Sequence, residues 1–396
     1  MPEEVVQPRI RGFISINAHP EGCRANVRKQ IDFTQTLGVD QRKMNALIIG
    51  ASTGYGLASR IAAAFGYGAD TVGVFYDRPA SGRKTASAGY YNSVAFHEVA
   101  QEAGLKAGAV NGDGFSDPVK KQVVELLRGE YGKIDLLIHS LAAPRRTHPK
   151  TGVTHHSVLK PIGGDFKSKT IDLNTGKVET ARIPQASGLE IADTIQVMGG
   201  EDFALWVDAL LEADLFAEGA RAVAFSYIGP EITHAVYRDG TIGMAKLHLE
   251  QTTPYLSERL EEAVGGSAYV SVNKAIVSQA SAAIPVVPLY ISMLYPVMRE
   301  AGVHETPIMQ MNRLLREKLM RDGETETDSE GRIRLDDKEL DPNIQREIAA
   351  RWASVRSDNL VDFADFPGFR RSFRRLFGFD VAGVDYMAST EIDRPL

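Results

Sequence analysis

The chain has 396 residues, 43% hydrophobic and 24% charged, a balance that suits a soluble protein with a large buried core. A formal net charge of -6 leaves no basic excess to neutralise phosphates, which argues against general nucleic-acid binding. The single cysteine, Cys23, excludes an intrachain disulfide and fits a reducing, cytoplasmic setting, and neither a secretory signal pattern nor a membrane-length apolar run is present.

The first forty residues read as an extension ahead of the fold proper. Ala46-Leu47-Ile48-Ile49 then has the character of a buried parallel strand, and Leu57 to Phe65 has helical periodicity. Between them lies Gly50-Ala51-Ser52-Thr53-Gly54-Tyr55-Gly56. A glycine turn leading into a helix leaves backbone N–H groups open at the helix N-terminus, where a pyrophosphate can sit. The spacing G-x-x-x-G-x-G is that of short-chain reductases. An acidic residue, Asp77, closes the next strand, Thr71 to Asp77.

Further strands are expected at Ala107–Val110, Ile134–His139, Arg221–Ser226 and Ala268–Val272. Helices are expected at Ser93–Ala103, Asp117–Tyr131, Glu201–Leu215 and Thr241–Val264, the last interrupted near Pro254. This alternation predicts an α/β fold with a doubly wound parallel sheet. Residues 144–200 form a long insertion after the fourth strand, with a hairpin signal at Asn174-Thr175-Gly176. The insertion is either a substrate lid or decoration. The apolar window Ala280–Leu294 carries Pro285 and Pro288 and reads as a buried helix entry beside the site. The remainder is a charged, helical C-terminal extension, with Arg332-Ile333-Arg334-Leu335 as a short strand and Arg370–Arg375 as a solvated face. One elaborated domain results: residues 1–43 as N-terminal extension, 44–300 as core with the insertion, and 301–396 as C-terminal extension.

Short-chain reductases place a tyrosine and a lysine four apart on one helix face. None of the thirteen tyrosines here has a lysine at that distance, but Tyr237 has one nine positions on, Lys246. On a straight helix that pair would be about 13 Å apart along the axis and on opposite faces. The two can meet if Tyr237 sits in a turn and Lys246 in the second turn of the following helix, with Asp239 or Thr241 as cap. The alternative is a buried structural tyrosine. A phenol suits reduction of an activated double bond, since it can hydrogen-bond and protonate the enolate oxygen, and a nearby ammonium would lower its pKa. Tyr227, at the end of the fifth strand, is either a second donor or a stacked wall. Metal and nucleophile motifs are absent: His155-His156 are adjacent, and no H-E-x-x-H, C-x-x-C or G-x-S-x-G occurs.

Several segments together resemble one family: Asn17-Ala18-His19-Pro20-Glu21-Gly22-Cys23, Gly54 through Ile61, Ser157-Val158-Leu159-Lys160-Pro161, Val197 through Asp202, Tyr227-Ile228-Gly229-Pro230 and Val272-Asn273-Lys274. They are similar to the FabV/TER family of bacterial NADH-dependent enoyl-acyl-carrier-protein reductases and trans-2-enoyl-CoA reductases, over nearly the whole chain. The resemblance implies Tyr237 and Lys246 as catalytic residues and Tyr227 as the substrate contact. It implies cofactor contacts from Gly50, Ala51, Ser52, Thr53, Gly54 and Tyr55, from Tyr76 and Asp77, from Asp113 and Gly114, from Leu141 and Ala142, from Lys246, and from Ile276, Val277 and Ser278. The family commonly has glutamate at position 77, alanine at 114 and threonine at 278. Asp77 favours NADH over NADPH, with Arg78 softening the preference. The resemblance implies a monomer acting on enoyl-CoA or enoyl-acyl-carrier protein, and no flavin fingerprint is evident. Arg145, Arg146 and Lys160 are either a docking patch for a carrier protein or solvated cations.

Overall fold

The expected alternation of strand and helix is present in this computed structural model, which describes residues 3–40, 42–321 and 323–396. One sheet contains β1 (Asn45–Ile49), β2 (Asp70–Phe75), β3 (Ala107–Asn111), β4 (Ile134–His139), β5 (Phe216–Ser226), β6 (Ser267–Val272) and β7 (Arg332–Arg334). Their order is β7-β6-β5-β4-β1-β2-β3, and every neighbouring pair is parallel. All carboxyl ends therefore share one edge. The strand order reverses between β1 and β4, where open α/β sheets bind ligands.

Side-chain alternation along the strands feeds two cores. Ala46, Ile48, Leu136 and Ile138 face α1 (Pro20–Thr36), α2 (Gly54–Tyr67) and α3 (Ala88–Glu102). Leu47, Ile49 and Leu137 face α4 (Asp117–Leu126), α6 (Glu201–Glu212) and α7 (Thr241–Val264), where Phe203, Trp206 and Leu210 are fully buried. Burial of each such side chain is worth roughly 1.5–3 kcal/mol. A third core surrounds α8 (Val287–Glu300), which lies in the expected apolar window, together with α9 (Pro342–Ser354) and α10 (Phe366–Arg375).

Two expectations need correction. The helix α7 runs unbroken through Pro254, because Leu249, Thr253, Leu256 and Leu260 are buried along its sheet-facing side while Pro254 is exposed. The fifth strand starts earlier than expected, at Phe216, with a register shift against β4 between Phe216 and Arg221. The short strand at 332–334 pairs with β6, so the C-terminal extension supplies the sheet's edge.

The insertion holds two hairpins, Arg145–Thr147 with Thr154–His156 and Phe166–Ile171 with Val178–Ile183, followed by α5 (Gly188–Met198). Gly176, at φ +74, closes the second turn, as the Asn174-Thr175-Gly176 signal predicts. Lys169 donates to the carbonyls of Trp352, Ala353 and Val355 at the end of α9. At the other end of the insertion, Pro161 bridges Gly240 and the Lys160 carbonyl accepts from the Thr241 N–H at 3.0 Å. The insertion thus braces the turn that carries Tyr237.

Candidate active site

The glycine turn follows β1 and opens α2, as its composition requires. Gly50 has φ +87, and a Cβ there would stand 2.3 Å from the Ser140 carbonyl oxygen after β4. A Cβ on Gly56 would stand 1.9 Å from the Gly50 carbonyl oxygen. Thr53 caps α2 without a side-chain hydrogen bond, and among the described residues no other side chain accepts from the helix's first N–H groups. The geometry fits a dinucleotide pyrophosphate. The Tyr55 side chain turns inward, donating to the Lys274 carbonyl at 2.7 Å with Gln310 Oε1 at 2.9 Å, and only its backbone belongs to the turn.

Asp77 lies just beyond β2. Its Oδ1 accepts from Ser87 Oγ at 2.7 Å, and its main chain is held by Asn111. Tyr76 beside it is 80% exposed, leaving a ring face open. Asp113 Oδ1 accepts from the Phe115 N–H, and Gly114 packs against Leu141 and Ile49, so a Cβ there would meet Leu141 Cδ1 at 3.2 Å. Leu141 and Ala142 follow β4, and Ile276, Val277 and Ser278 follow β6. The Val277 N–H donates to Tyr295 Oη, while Ser278 spends its hydroxyl capping the next helical turn through Ser281. All the expected cofactor residues therefore gather along one sheet edge.

Tyr237 lies in the turn before α7 and Lys246 in the second turn of that helix, the placement that the nine-residue spacing requires if the two are to meet. The N-cap is Gly240, not Asp239 or Thr241, because a Cβ at 240 would press to 2.8 Å from the Lys160 carbonyl oxygen. The Tyr227 and Tyr237 rings meet edge to face, 4.7 Å apart at 89°. Among the described residues, the Tyr237 hydroxyl has no hydrogen-bond partner, whereas Tyr227 donates to Glu339 Oε1 at 3.0 Å. Lys246 Nζ donates to the Phe225 carbonyl at 2.8 Å, and Phe225 packs edge-on against Tyr55 of the glycine turn.

The electrostatics differ from expectation in one respect. Burial, followed by the Glu339 carboxylate, pushes the Tyr237 phenol up to about 12, and Lys246 does not offset them. Burial also lowers Lys246 to about 8, opposed by Glu250. Tyr237 is accordingly a protonated donor near neutral pH rather than a phenolate.

Sequence reasoning missed two buried clusters behind this edge. Lys120 donates to Asp202 Oδ1 at 2.8 Å and to the Gly114 and Phe115 carbonyls, and His139 meets Asp202 Oδ2 at 2.9 Å. The other is Glu339 with Tyr227, Tyr290 and Lys274. Separations of 82 residues for Lys120–Asp202 and 112 for Tyr227–Glu339 leave no local spacing signal. Of the cations considered for carrier docking, Arg146 is only 1% exposed and bonded to Glu201, and Lys160 pairs with Glu190. Arg146 is thus buried rather than solvated, Lys160 is half-buried in its ion pair, and Arg145 is exposed.

The chain matches the trans-2-enoyl-CoA reductase catalytic region over residues 84–320 and the NAD(P)H binding domain of trans-2-enoyl-CoA reductase over residues 5–82. It also matches an enoyl reductase FAD binding domain over residues 327–390. An enoyl-[acyl-carrier-protein] reductase [NADH] of Coxiella burnetii is 52% identical over 394 residues, covering 99% of this chain and 97% of that protein. One from Flavobacterium johnsoniae is 51% identical over 386 residues, covering 98% and 97%. The crystal structure of Treponema denticola trans-2-enoyl-CoA reductase in complex with NAD superposes with a TM-score of 0.94 at 44% identity, covering 99% of this chain and 100% of that one.

Proposed function

This chain belongs to the family of NADH-dependent trans-2-enoyl-CoA and enoyl-acyl-carrier-protein reductases, and on that premise we propose how its own residues carry out the reaction. The reaction is reduction of the trans-2 double bond of an enoyl thioester to the saturated acyl thioester. NADH supplies a hydride to the β-carbon. As that bond forms, the alkene electron pair shifts onto the thioester oxygen, and the site must stabilise the developing charge.

Tyr237 does so by hydrogen-bonding the oxygen and giving up its phenolic proton, which leaves an enol and a tyrosinate; the enol then takes a solvent proton at its α-carbon and returns its O–H proton, so that the saturated thioester forms and the phenol is restored. The high pKa of the phenol keeps that proton in place until the enolate, a stronger base than the ground-state carbonyl, develops. Tyr227 forms the wall against which Tyr237 rests. Lys246 spends one N–H on Phe225, leaving two donors to hold the nicotinamide ribose. The turn Gly50–Tyr55 receives the pyrophosphate. The free Oδ2 of Asp77 accepts from the adenosine ribose, and its charge disfavours a 2′-phosphate, which selects NADH over NADPH.

We propose that no flavin takes part, although residues 327–390 match a domain named for one. Its two longest helices have their first N–H groups already filled by carboxylates. Asp341 accepts from Asn343 and Ile344, and Asp365 from Gly368 at 2.7 Å. A flavin pyrophosphate would meet negative charge at either end. Among the described residues, no group of three or more His, Cys, Asp and Glu side chains is placed to hold a metal, and no helix is long and apolar enough to cross a membrane. Coenzyme A and acyl carrier protein present the same thioester on the same pantetheine arm, so the proposed residues serve either carrier, in a cytoplasmic monomer.

The observation that carries this reading is the Tyr237 hydroxyl, which among the described residues makes no hydrogen bond while Tyr227 beside it donates to Glu339. Tyr237→Phe should lower kcat with crotonyl-CoA and NADH by about 10²–10⁴-fold while leaving NADH affinity within twofold. A variant that turns over at the parent rate would remove Tyr237 from the reaction.

A further inference from the structure

Glu339 is fully buried, yet it belongs to the C-terminal segment rather than to the sheet core. The edge strand β7 delivers it. Leu335 continues the pairing by donating to the Val272 carbonyl, and the turn after it closes through Leu340 N–H to Asp336. Gln345 on α9 then clamps the Glu339 carbonyl at 2.6 Å. The carboxylate so placed receives three hydrogen bonds. Oε1 accepts from Tyr227 at 3.0 Å and from Tyr290 at 2.6 Å, and Oε2 accepts from the Ala275 N–H at 2.7 Å. Each donor belongs to a different element of the site: the loop after β5, helix α8, and the segment after β6 that leads into Ile276–Ser278.

A buried carboxylate is costly unless its lone pairs are met, and this one is met almost wholly by neutral donors. Stability alone would not call for such an arrangement, since phenylalanines at 227 and 290 with an apolar residue at 339 would leave far less polar surface to satisfy. Its effect is geometric. Accepting from the Tyr227 hydroxyl fixes the rotation of that ring, which meets the Tyr237 ring edge to face with centroids 4.7 Å apart.

We propose that Glu339 is a positioning residue of the reductase: it captures the Tyr227 hydroxyl, sets the Tyr227 ring against Tyr237, and leaves the Tyr237 hydroxyl as the sole unengaged phenol facing the substrate. The segment matched to a flavin domain thereby serves as the back wall of the thioester site. This proposal rests on Tyr237 being the donor.

Glu339→Gln tests it. One amide offers a single acceptor oxygen, so it cannot serve both the two phenols and the Ala275 N–H. The expected result is a loss of about tenfold to a hundredfold in kcat, the scale of a misplaced catalytic group, with NADH affinity within twofold. Because Glu339 acts through Tyr227, Glu339→Gln added to Tyr227→Phe should cost less than threefold more, as in a coupled pair. Should that variant fail to fold, Glu339→Asp keeps the charge but retracts it from Tyr227, and the same coupled loss is expected. A Glu339 variant with parental kcat overturns the proposal, as do losses that multiply with Tyr227→Phe. Tyr237→Phe, measured alongside, separates the failures. If it is inactive while Glu339 variants are fully active, the role of Glu339 falls alone; if it is active, the donor assignment falls as well.

Discussion

The two buried carboxylates behind the ligand edge, Asp202 and Glu339, solve the same problem in opposite ways. Asp202 stands behind the cofactor half, held by the Lys120 ammonium and by His139. Burial raises its pKa, but the His139 hydrogen bond and the Lys120 charge outweigh burial and leave it below the ordinary value of 3.8. Glu339 stands behind the substrate half among phenols and an N–H, with Lys274 nearby. There burial wins over Lys274 and the hydrogen bonds, and the pKa rises above the ordinary 4.5. The signs follow for stability. A depressed pKa means that Asp202 contributes stability above its unfolded pKa, lost as pH falls through the folded value. A raised pKa means that Glu339 contributes most below its unfolded pKa and loses that contribution as pH rises through the folded value. The Asp202 side is therefore tied down by paired charge, whereas the Glu339 side is held by neutral donors from Tyr227, Tyr290 and Ala275.

The sharpest way to break this contrast is Asp202→Asn, which strands the buried Lys120. We expect a loss of about 3–5 kcal/mol in unfolding free energy by denaturant titration. Glu339→Gln should lose far less stability while losing much of kcat. A stable Asp202→Asn enzyme would show that the pair is not what holds the Gly114–Phe115 turn.

Within the cofactor half, two glycines make a finer comparison. Gly50→Ala places a Cβ 2.3 Å from a carbonyl oxygen at φ +87, with backbone on both sides, so neither partner can yield. A strain of about 1–3 kcal/mol should appear as an NADH KM raised tenfold or more. Gly114→Ala meets only side-chain methyls of Leu141 and Ile49 at 3.2 and 3.4 Å, which rotate aside. Its cost should stay below about 1 kcal/mol, with the NADH KM within twofold. Equal effects from the two substitutions would mean that loop crowding, not backbone conformation, governs the cofactor turn.

Much of the cofactor half was legible because its signals are local. The glycine turn, the strand before it and the helix after it lie within 21 residues, from Asn45 to Phe65, and each demands a particular backbone or periodicity. Strands β1 and β4 and the hairpin at Gly176 were readable for the same reason. The placement of Tyr237 and Lys246 was half legible: their spacing is visible, but that Tyr237 lies in a turn and Lys246 on the following helix is set by the chain reversal at 235–240. The unbroken α7 escaped the reading because Pro254 is a local breaker overruled by burial on the helix's far side.

What the sequence by itself determined is the doubly wound sheet and the dinucleotide turn, since these follow from short-range composition, periodicity and backbone constraint, whereas Tyr237 as candidate donor came from the resemblance to a family. What only the tertiary structure decided is which phenol stays free, where Lys246 points, and that Glu339 reaches the site from an edge strand. Those outcomes depend on contacts between residues as much as 112 positions apart, and on a balance between desolvation and hydrogen bonding that exists only once the chain has closed around them.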